Sequence, residues 1–342
     1  RPIRFVWNEM NSENRMVFNP GQIYTVPTYI YRWLERRSDI HVLSACEYLV
    51  NNRSARILIS RGGGLGDLCF LTAGIAMLHR LFPEAHIWIA TDGRHRRVFE
   101  HTGHVERAID IAEMYEYAPY DYYLSLGYWV ERHPEQDKVN RVDLFARSLG
   151  FRECSPAEMH YTVTEEDLSR AAPLLPKVKG TVAVQVAGSI PRRSATPKWT
   201  KNLIEKMIAD GMHPVILDSR KSDYWTIPGA TNLTGLLDVS TLAAVCYLCD
   251  VGLAWDSGAL HLMNALKVPT VGLFGPVAAE LRIKDQPLCK VLSANEYANC
   301  PPCNDGQTNK RCLEGYAQCL DALPADTVVE TVRSQLDAYA KW

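Results

Sequence analysis

An acidic residue ends a glycine-rich turn in the first part of the chain. The stretch ISRGGGLGD runs from Ile59 to Asp67, between a strand-like and a helix-like run. Gly62 and Gly64 fit the first two glycines of the dinucleotide fingerprint G-x-G-x-x-G, but Asp67 stands in place of the third. Because a carboxylate repels a phosphate, the turn is not expected to hold a pyrophosphate. Asp67 is suited to accept a proton from a hydroxyl; the alternative is that it caps the following helix.

A better anion site lies in the second half, where WDSGALH ends a strand-like run and opens a helix. The first amides of a helix have no partner within it and bind phosphate groups, helped by the helix dipole. Asp256 would organise the turn or bind sugar hydroxyls, and His261, one turn along, would donate to a phosphate oxygen. The alternatives are a simple N-cap and a structural histidine. The residues predicted to bind the anion are Ser257, Gly258, Ala259 and His261.

A second cationic contribution comes from the loop at residues 188–200, GSIPRRSATPKWT. It carries Arg192, Arg193 and Lys198 between prolines, after a strand-like run and before a helix-like one. Cations in such a loop neutralise the charge of a leaving diphosphate. The alternative is a solvated loop whose charges are incidental.

Four cysteines are bunched near the end of the chain, in CPPCNDGQTNKRCLEGYAQC. A CxxC pair followed closely by two more cysteines can wrap one tetrahedral zinc in a structural site. Four thiolates would leave no open position for catalysis. The alternative is free or partly disulfide-paired thiols. The predicted ligands are Cys300, Cys303, Cys312 and Cys319.

Strand-like and helix-like runs alternate in two series, separated by a segment rich in proline and lysine at residues 171–180. This alternation predicts parallel sheets with helices on both faces. We therefore expect an α/β protein of two doubly wound Rossmann-like domains facing a cleft, where the carboxyl ends of the strands bind ligands. The predicted units are a small amino-terminal β-rich extension at 1–54, a first domain at 55–176, a second domain at 177–325 and a carboxy-terminal helix at 326–342.

Composition limits the class of protein. The 342 residues are 47% hydrophobic and 22% charged, which suffices for two buried cores. A formal net charge of -2 predicts no general affinity for polyanions. No apolar run approaches the roughly 20 residues of a membrane span, and no signal peptide is visible. The distribution of the ten cysteines indicates reduced thiols plus one local site, and hence a cytoplasmic protein.

Three separated stretches resemble the heptosyltransferase-type glycosyltransferases. They are the glycine-turn segment ILISRGGGLGDLCFLTAGIAMLHRLFPEAHI, the loop VQVAGSIPRRSATPKWT, and NLTGLLDVSTLAAVCYLCDVGLAWDSGALHLMNALKVPTVGLFGP. The resemblance spans about residues 56–335. It implies the B-type glycosyltransferase fold, with the acceptor held by the first domain and a nucleoside-diphosphate sugar by the second. It also implies inverting transfer without a catalytic metal or other cofactor.

The resemblance assigns roles to the motif residues. Asp67 matches the family's general base, and the turn from Asp256 to His261 matches its donor-binding turn. The family's lysine two residues before the tryptophan is replaced here by Pro197, with Lys198 adjacent. Residues 1–54 have no counterpart in the lipopolysaccharide enzymes of the family, which leaves the acceptor open.

An anionic acceptor is expected, because a basic cluster follows a first-domain strand, with Arg132, His133 and Arg141 later in the chain. The residues predicted to bind it are Gly63, Gly64, Leu65, Gly66, Arg94 and Arg96. Lipopolysaccharide core qualifies, and so does DNA with a modified base in a phage-encoded enzyme, where Tyr128 and Trp129 could stack on a base. A solvated face with core aromatics is the alternative. A different class also stays open: a non-catalytic sugar-nucleotide-binding or phage assembly protein on the same fold.

Overall fold

The computed structural model of the chain describes residues 3–9, 12–18, 44–114, 120–188, 191–303 and 317–339. The chain divides into two compact units, Arg1–Leu43 and Ser44–Trp342. In the smaller unit, strands β1 (Ile3–Glu9) and β2 (Ser12–Phe18) pair antiparallel. Across the described residues, no helix combines the length and the apolar character that crossing a bilayer requires.

The larger unit begins with a parallel sheet of four strands in the order β5-β4-β3-β6. Its central strand is an uninterrupted apolar run, because Ile57, Leu58 and Ile59 are fully buried and helices cover both faces of such a sheet. The strands are β3 (Arg56–Ser60), β4 (His86–Thr91), β5 (Arg107–Asp110) and β6 (Tyr122–Ser125).

Four helices belong to this part of the chain: α1 (Ala45–Asn51), α2 (Leu65–Leu81), α3 (Arg141–Ser148) and α4 (Glu165–Ala171). Helices α1 and α4 are absent from the sequence prediction, and both begin with a capping box. Ser44 pairs with Glu47, and Thr164 with Asp167. The spacing of a hydroxyl residue and an acid three positions on was the available signal. Helix α1 belongs to the larger unit, although the predicted amino-terminal unit extended to residue 54.

The second sheet has six parallel strands in the order β12-β11-β10-β7-β8-β9. The sequence predicts the four inner strands, which are apolar and buried. The edge strands β9 and β12 escape prediction because β9 is two residues long and β12 is partly exposed. The strands are β7 (Thr181–Gln185), β8 (His213–Leu217), β9 (Thr231–Asn232), β10 (Val251–Trp255), β11 (Thr270–Phe274) and β12 (Cys289–Ser293).

The helices of the second domain are α5 (Pro197–Ala209), α6 (Val239–Leu248), α7 (Gly258–Ala265), α8 (Asn295–Ala298), α9 (Gln318–Asp321) and α10 (Ala325–Tyr339). Thr196 and Asp238 cap α5 and α6 through their side chains. Helix α10 packs against α5 and β11, and its buried Val328 and Val332 join the core around Trp255.

Both sheets reverse their strand order beside their first strand. In the second domain the order, read from β9, is third, second, first, fourth, fifth, sixth, which is the Rossmann order. The four strands of the first domain, read from β5, follow the same order: third, second, first, fourth. Ligands bind at the carboxyl ends of the two strands where the order reverses. These strands are β3 and β6 in the first domain, and β7 and β10 in the second. The predicted doubly wound α/β class is confirmed.

The two sheets are brought together by the amino-termini of α2 and α7. A Cβ on Gly66 would lie 3.0 Å from Cδ2 of His261 and 3.4 Å from Cα of Gly258. The ring of Phe70 lies 4.3 Å from the His261 ring, centroid to centroid. Away from these helix ends, Nζ of Lys284 lies 2.8 Å from Oδ1 of Asp143, which links the loop after β11 to α3. The sequence predicts that Gly258 binds an anion; in the structure α2 also approaches it.

Replacing Gly258 with alanine tests this contact. Helix propensity alone favours alanine, but the new Cβ would lie 2.9 Å from Cβ of Leu65 and 3.2 Å from the Gly66 nitrogen. We expect Gly258→Ala to lower the free energy of unfolding by about 1–3 kcal/mol, measured by denaturant melts. Gly62→Ala is the matched control, since its Cβ would meet nothing within 4 Å. Equal stability of the two variants would contradict the close approach.

Candidate active site

Asp67 lies in the first turn of α2, because the helix begins at Leu65 with Gly64 as its N-cap. The alternative role predicted for Asp67, capping this helix, therefore falls to Gly64 instead. Its Oδ2 lies 3.1 Å from Nη2 of Arg61, and its Oδ1 lies 3.3 Å from Nε of Arg141. The side chain is 20% exposed. The carboxylate is thus held by two guanidinium groups and still reaches solvent.

The two guanidinium groups fix the position of the Asp67 carboxylate. An ionised carboxylate at a fixed position can accept a proton from a hydroxyl placed within hydrogen-bonding distance.

Asp256 follows β10 directly and is buried. Its Oδ1 lies 3.3 Å from Nε2 of His261. Its Oδ2 lies 3.5 Å from Nη1 of Arg193 and 3.5 Å from Nε of Arg282. The buried Asp256 carboxylate therefore contacts one residue of α7 and two arginines from loops. Of the two roles predicted for Asp256, organising the turn is the one that this burial favours.

The protonation of the buried pair follows from its surroundings. Burial would raise the pKa of Asp256, but the hydrogen bond from His261 and the charges of Arg282 and Arg193 hold that pKa well below its usual range. Burial lowers the pKa of His261, and the hydrogen bond with Asp256 opposes this only in part. The ring is therefore neutral at neutral pH, with Nε2–H donating to Asp256. The sequence predicts that His261 donates to a phosphate oxygen, whereas the structure directs this N–H to Asp256.

Ser257 is the N-cap of α7, yet its side chain does not accept from the helix amides. Its hydroxyl donates to Oε1 of Gln185, at the carboxyl end of β7. The first amides of α7, at Gly258 and Ala259, therefore have neither an intrahelical partner nor a side-chain cap. Such amides, with the positive end of the helix dipole, favour an anionic ligand.

Charged groups of both domains influence the pKa of Arg282. Burial lowers the pKa of Arg282; Asp256 raises it, Arg141 and Arg193 lower it further, and Asp67 raises it. The cluster has four positive residues and three negative ones, so it carries one excess positive charge before the two helix dipoles are considered. It favours a negatively charged ligand. Its members are Arg61, Arg141, Arg193, Arg282, Asp67, Asp256 and Glu131.

The loop cations predicted to bind the donor separate in the structure. Arg193, in the 3-10 turn Pro191–Arg193, reaches Asp256. Arg192 of the same turn is exposed, and Lys198 is exposed in the first turn of α5. Arg193 is therefore the predicted loop cation that the structure brings to the turn before α7.

The predicted acceptor-binding cations lie on the surface after β4. Arg94 and Arg96 are both exposed, and Nε of Arg96 lies 2.8 Å from Oε1 of Glu100. They follow a strand of the same sheet as the glycine turn, at the same carboxyl edge. They do not join the cluster around Asp67.

The residues of the glycine turn have two different surroundings. Gly63 has a φ of 134°, a conformation that favours glycine, and a Cβ on Gly64 would meet nothing within 4 Å. Leu65 and Gly66 instead contact Gly258 of the second domain. An acceptor would find open space beside Gly64, whereas the space beside Gly66 is filled by α7.

Four residues of the site are absent from the predicted set: Arg61, Glu131, Gln185 and Arg282. Arg61 and Glu131 are 70 positions apart and belong to no shared motif. Arg282 follows the 3-10 turn Ala279–Leu281, past the end of the motif that carried the resemblance. The available signal was topological: Arg61 follows β3 directly, Gln185 ends β7, and Glu131 comes shortly after β6. Those three strands lie where the sheets reverse their order.

The cysteine cluster is described in part. Cys300, Cys303 and Cys319 are placed, while Cys312 lies outside the described residues. Within the residues that the structure places, no group of three or more His, Cys, Asp or Glu side chains is arranged to hold a metal ion. The zinc site stays a prediction.

The chain resembles known proteins in sequence and in fold. The model of glycosyltransferase family 9 (heptosyltransferase) matches residues 141–309, which include Arg141, Arg193, Asp256 and Arg282 but not Asp67. A search of curated protein sequences finds no match.

Solved glycosyltransferases share the fold at low sequence identity. A family 9 glycosyltransferase from Veillonella parvula aligns at 16% identity over 83% of this chain and 97% of its own, with a TM-score of 0.64. ADP-heptose lipopolysaccharide heptosyltransferase II of E. coli aligns at 15% identity over 83% and 99%, with a TM-score of 0.64. TibC, an iron-containing dodecameric glycosyltransferase from enterotoxigenic E. coli, aligns at 14% identity over 83% and 76%, with a TM-score of 0.61. The predicted resemblance to the heptosyltransferase-type glycosyltransferases is confirmed: residues 141–309 match the family model, and the chain has the B-type glycosyltransferase fold.

Proposed function

We propose that the chain catalyses inverting transfer of a sugar from a nucleoside-diphosphate sugar to an acceptor hydroxyl, with Asp67 as the general base. One observation carries the proposal. The first turn of α2, which bears Asp67, packs against the first turn of α7, whose amides have no side-chain cap. A proton acceptor from one domain thereby lies beside an anion-binding helix end from the other.

The diphosphate of the donor would bind at the amino-terminus of α7. The amides of Gly258 and Ala259 would donate to its oxygens, and Arg193 would supply positive charge. Asp256 would hold Arg193 and Arg282 from inside the domain. E. coli heptosyltransferase WaaC has been solved with ADP, and a second neighbour is an ADP-heptose enzyme. ADP-heptose is therefore the donor that we propose to test first.

The reaction would proceed by one displacement. A carboxylate oxygen of Asp67 takes the proton of the acceptor hydroxyl, while the acceptor oxygen bonds to the anomeric carbon from the side opposite the diphosphate. The bond from that carbon to the diphosphate oxygen breaks, and the departing negative charge is stabilised by the α7 amides and Arg193. Oδ1 is the oxygen that we assign to the acceptor, because Arg61 on Oδ2 is buried.

Removing the base tests this proposal directly. We expect Asp67→Asn to lower the transfer rate by about 100- to 10,000-fold, because the amide cannot take the proton. Donor affinity, measured by calorimetry with ADP-heptose, should change little. Asp121→Asn is the control: this carboxylate is 43% exposed and lies at the opposite edge of the same sheet. Transfer by Asp67→Asn at the rate of the unmodified protein would remove Asp67 as the base.

The acceptor would be anionic and would lie at the carboxyl edge of the first sheet. Arg94 and Arg132 are exposed in loops after β4 and β6. The Arg132 guanidinium carbon lies 5.0 Å from the ring centroid of Tyr128, which is 65% exposed. An exposed aromatic beside a cation can stack on a sugar or on a base while the cation meets a phosphate. Lipopolysaccharide core and modified DNA both present this chemistry, and the exposed Tyr128 is what keeps DNA as the second candidate.

Binding at low salt separates the two acceptors. We expect deacylated lipopolysaccharide core or duplex DNA carrying hydroxymethylated bases to bind with an affinity that falls as salt rises. Arg132→Gln should weaken that binding severalfold, whereas Arg333→Gln, far along the chain on α10, should not. Fluorescence anisotropy of labelled acceptors measures both. If neither the lipopolysaccharide core nor the modified DNA binds at low salt, the proposal of an anionic acceptor is contradicted.

We also propose a structural metal at Cys300, Cys303, Cys312 and Cys319. The Cys303 amide donates to the Pro276 carbonyl at 2.8 Å, and Sγ of Cys319 lies 2.7 Å from where a Cβ on Gly275 would stand. Cys303 and Cys319 thus lie against neighbouring residues of one loop. Four thiolates suit zinc or iron, and TibC is described as iron-containing.

Metal content tests this part. We expect about one zinc or iron per chain by plasma mass spectrometry of protein purified under reducing conditions, because four thiolates bind one tetrahedral ion. Cys312→Ser should lose the metal and lower Tm, while Cys46→Ser, outside the cluster, should keep it. A metal-free protein whose Tm a chelator leaves unchanged would contradict the site.

A further inference from the structure

We propose that Arg61 is the positioning residue of the base: it is anchored by Glu131 and by the backbone after β6, and it fixes Oδ2 of Asp67 so that Oδ1 meets the acceptor. This inference rests on the proposed role of Asp67. Arg61 lies in the glycine-turn stretch that carries the family resemblance, but the resemblance assigns it no catalytic or donor-binding role, and Glu131 lies outside the three stretches.

Arg61 is almost fully buried, with 2% of the residue exposed. Its Nη2 donates to Oδ2 of Asp67 at 3.1 Å and also contacts Glu131. Its Nη1 donates to Oε2 of Glu131 at 3.1 Å, to the Leu126 carbonyl at 3.3 Å and to the Gly127 carbonyl. Four anchors on a buried planar group leave it one orientation.

The strand order explains why these anchors meet. Arg61 follows β3 directly, and Leu126 and Gly127 follow β6, the parallel neighbour of β3. Backbone carbonyls at the end of a hydrogen-bonded strand do not move with side-chain rotamers. The guanidinium lies 5.4 Å from the ring centroid of Phe145 on α3, which covers it from one side. Oδ2 of Asp67 therefore takes its position from the sheet itself.

Glu131 keeps Arg61 charged and shares its charge. Burial would lower the pKa of Arg61, but the hydrogen bonds and charges of Glu131 and Asp67 outweigh it and raise that pKa. Glu131 and Asp67 therefore share one buried guanidinium: Nη1 donates to Glu131, and Nη2 donates to Asp67.

The two arginines on Asp67 then have different roles. Arg61 on Oδ2 is buried and anchored to backbone, whereas Arg141 on Oδ1 comes from the first residue of α3 and has a side chain 12% exposed. The charged and titratable groups that face Asp67 are Arg61, Arg141, Cys69 and, from the second domain, His261 and Arg282.

Two measurements separate positioning from mere structural support. The first is the titration of the Asp67 carboxyl carbon by ¹³C NMR, assigned by its loss in Asp67→Asn, which requires neither donor nor acceptor. The second is the rate of ADP release from ADP-heptose, with lipopolysaccharide core as acceptor and with water alone. Variants are Arg61→Met, Arg61→Lys and Glu131→Gln, with Arg147→Met as the matched control. Arg147 is on α3 and pairs with Glu135 at 2.7 Å.

In Arg61→Met we expect the Asp67 titration to move to higher pH, because the carboxylate loses a positive neighbour and keeps Glu131 nearby. The rate should fall about 100-fold, with ADP affinity retained. Arg61→Lys should be intermediate in both readouts. Glu131→Gln should move the titration to lower pH. The double variant Arg61→Met/Glu131→Gln should lose no more rate than Arg61→Met, since Glu131 acts through Arg61. Arg147→Met should change neither readout.

The inference is overturned if Arg61→Met and Glu131→Gln leave the Asp67 titration where it is in the unmodified protein. It is also overturned if Asp67→Asn is inactive while folded Arg61→Met turns over at the full rate. In that second case the proposed function stands. If Asp67→Asn itself keeps its activity, the proposed base fails, and the NMR titration still decides whether Arg61 controls the carboxylate. Glu131→Gln tests the contact should Arg61→Met fail to fold, because the Glu131 side chain is 31% exposed.

Discussion

The site depends on the direct contact between two helix amino-termini, one from each Rossmann-like domain. Gly66 and Gly258 permit it, because a side chain on either would enter the other helix. Two positive dipole ends and four arginines repel one another at this contact. Three carboxylates, those of Asp67, Asp256 and Glu131, offset the repulsion without cancelling it. The remaining positive charge favours an anion in the site, so the same constraint that shapes the interface selects the kind of ligand.

Strand order explains why residues distant in sequence converge there. Each sheet reverses its order beside its first strand, and loops from the two strands at that point share one crevice. In the first domain this brings Arg61 to Glu131 and to the carbonyls after β6. In the second it brings Gln185 to Ser257 and Arg193 to Asp256. Asp67 follows the first strand of its sheet and the turn at Asp256 follows the fourth strand of the other, so both lie where the strand order of their domain reverses. The contact between α2 and α7 sets them face to face.

The sequence predicts the parts of this site that lie in one continuous stretch. The fold class and the two turns follow from local patterns, because strand, turn and helix are adjacent in the chain. Pairs such as Arg61 and Glu131 cannot be predicted in that way, since only the register of β3 and β6 makes them neighbours. Gly258 and His261 show a second limit: the small residue and the imidazole are recognisable, but their partners, Leu65 and Asp256, depend on domain packing and burial. Helix α4 begins with a capping box that indicates a helix, whereas the prolines that follow it indicate a domain boundary.

The central proposal is that the donor binds to the second domain and faces Asp67 of the first. Its most direct test is a crystal structure with an ADP-heptose analogue that cannot be cleaved. The diphosphate oxygens should lie within about 3.2 Å of the amide nitrogens of Gly258 or Ala259, with Arg193 beside them. The anomeric carbon should face Asp67. A diphosphate bound instead to the glycine turn at residues 62–66, with the sugar directed away from Asp67, would contradict the account.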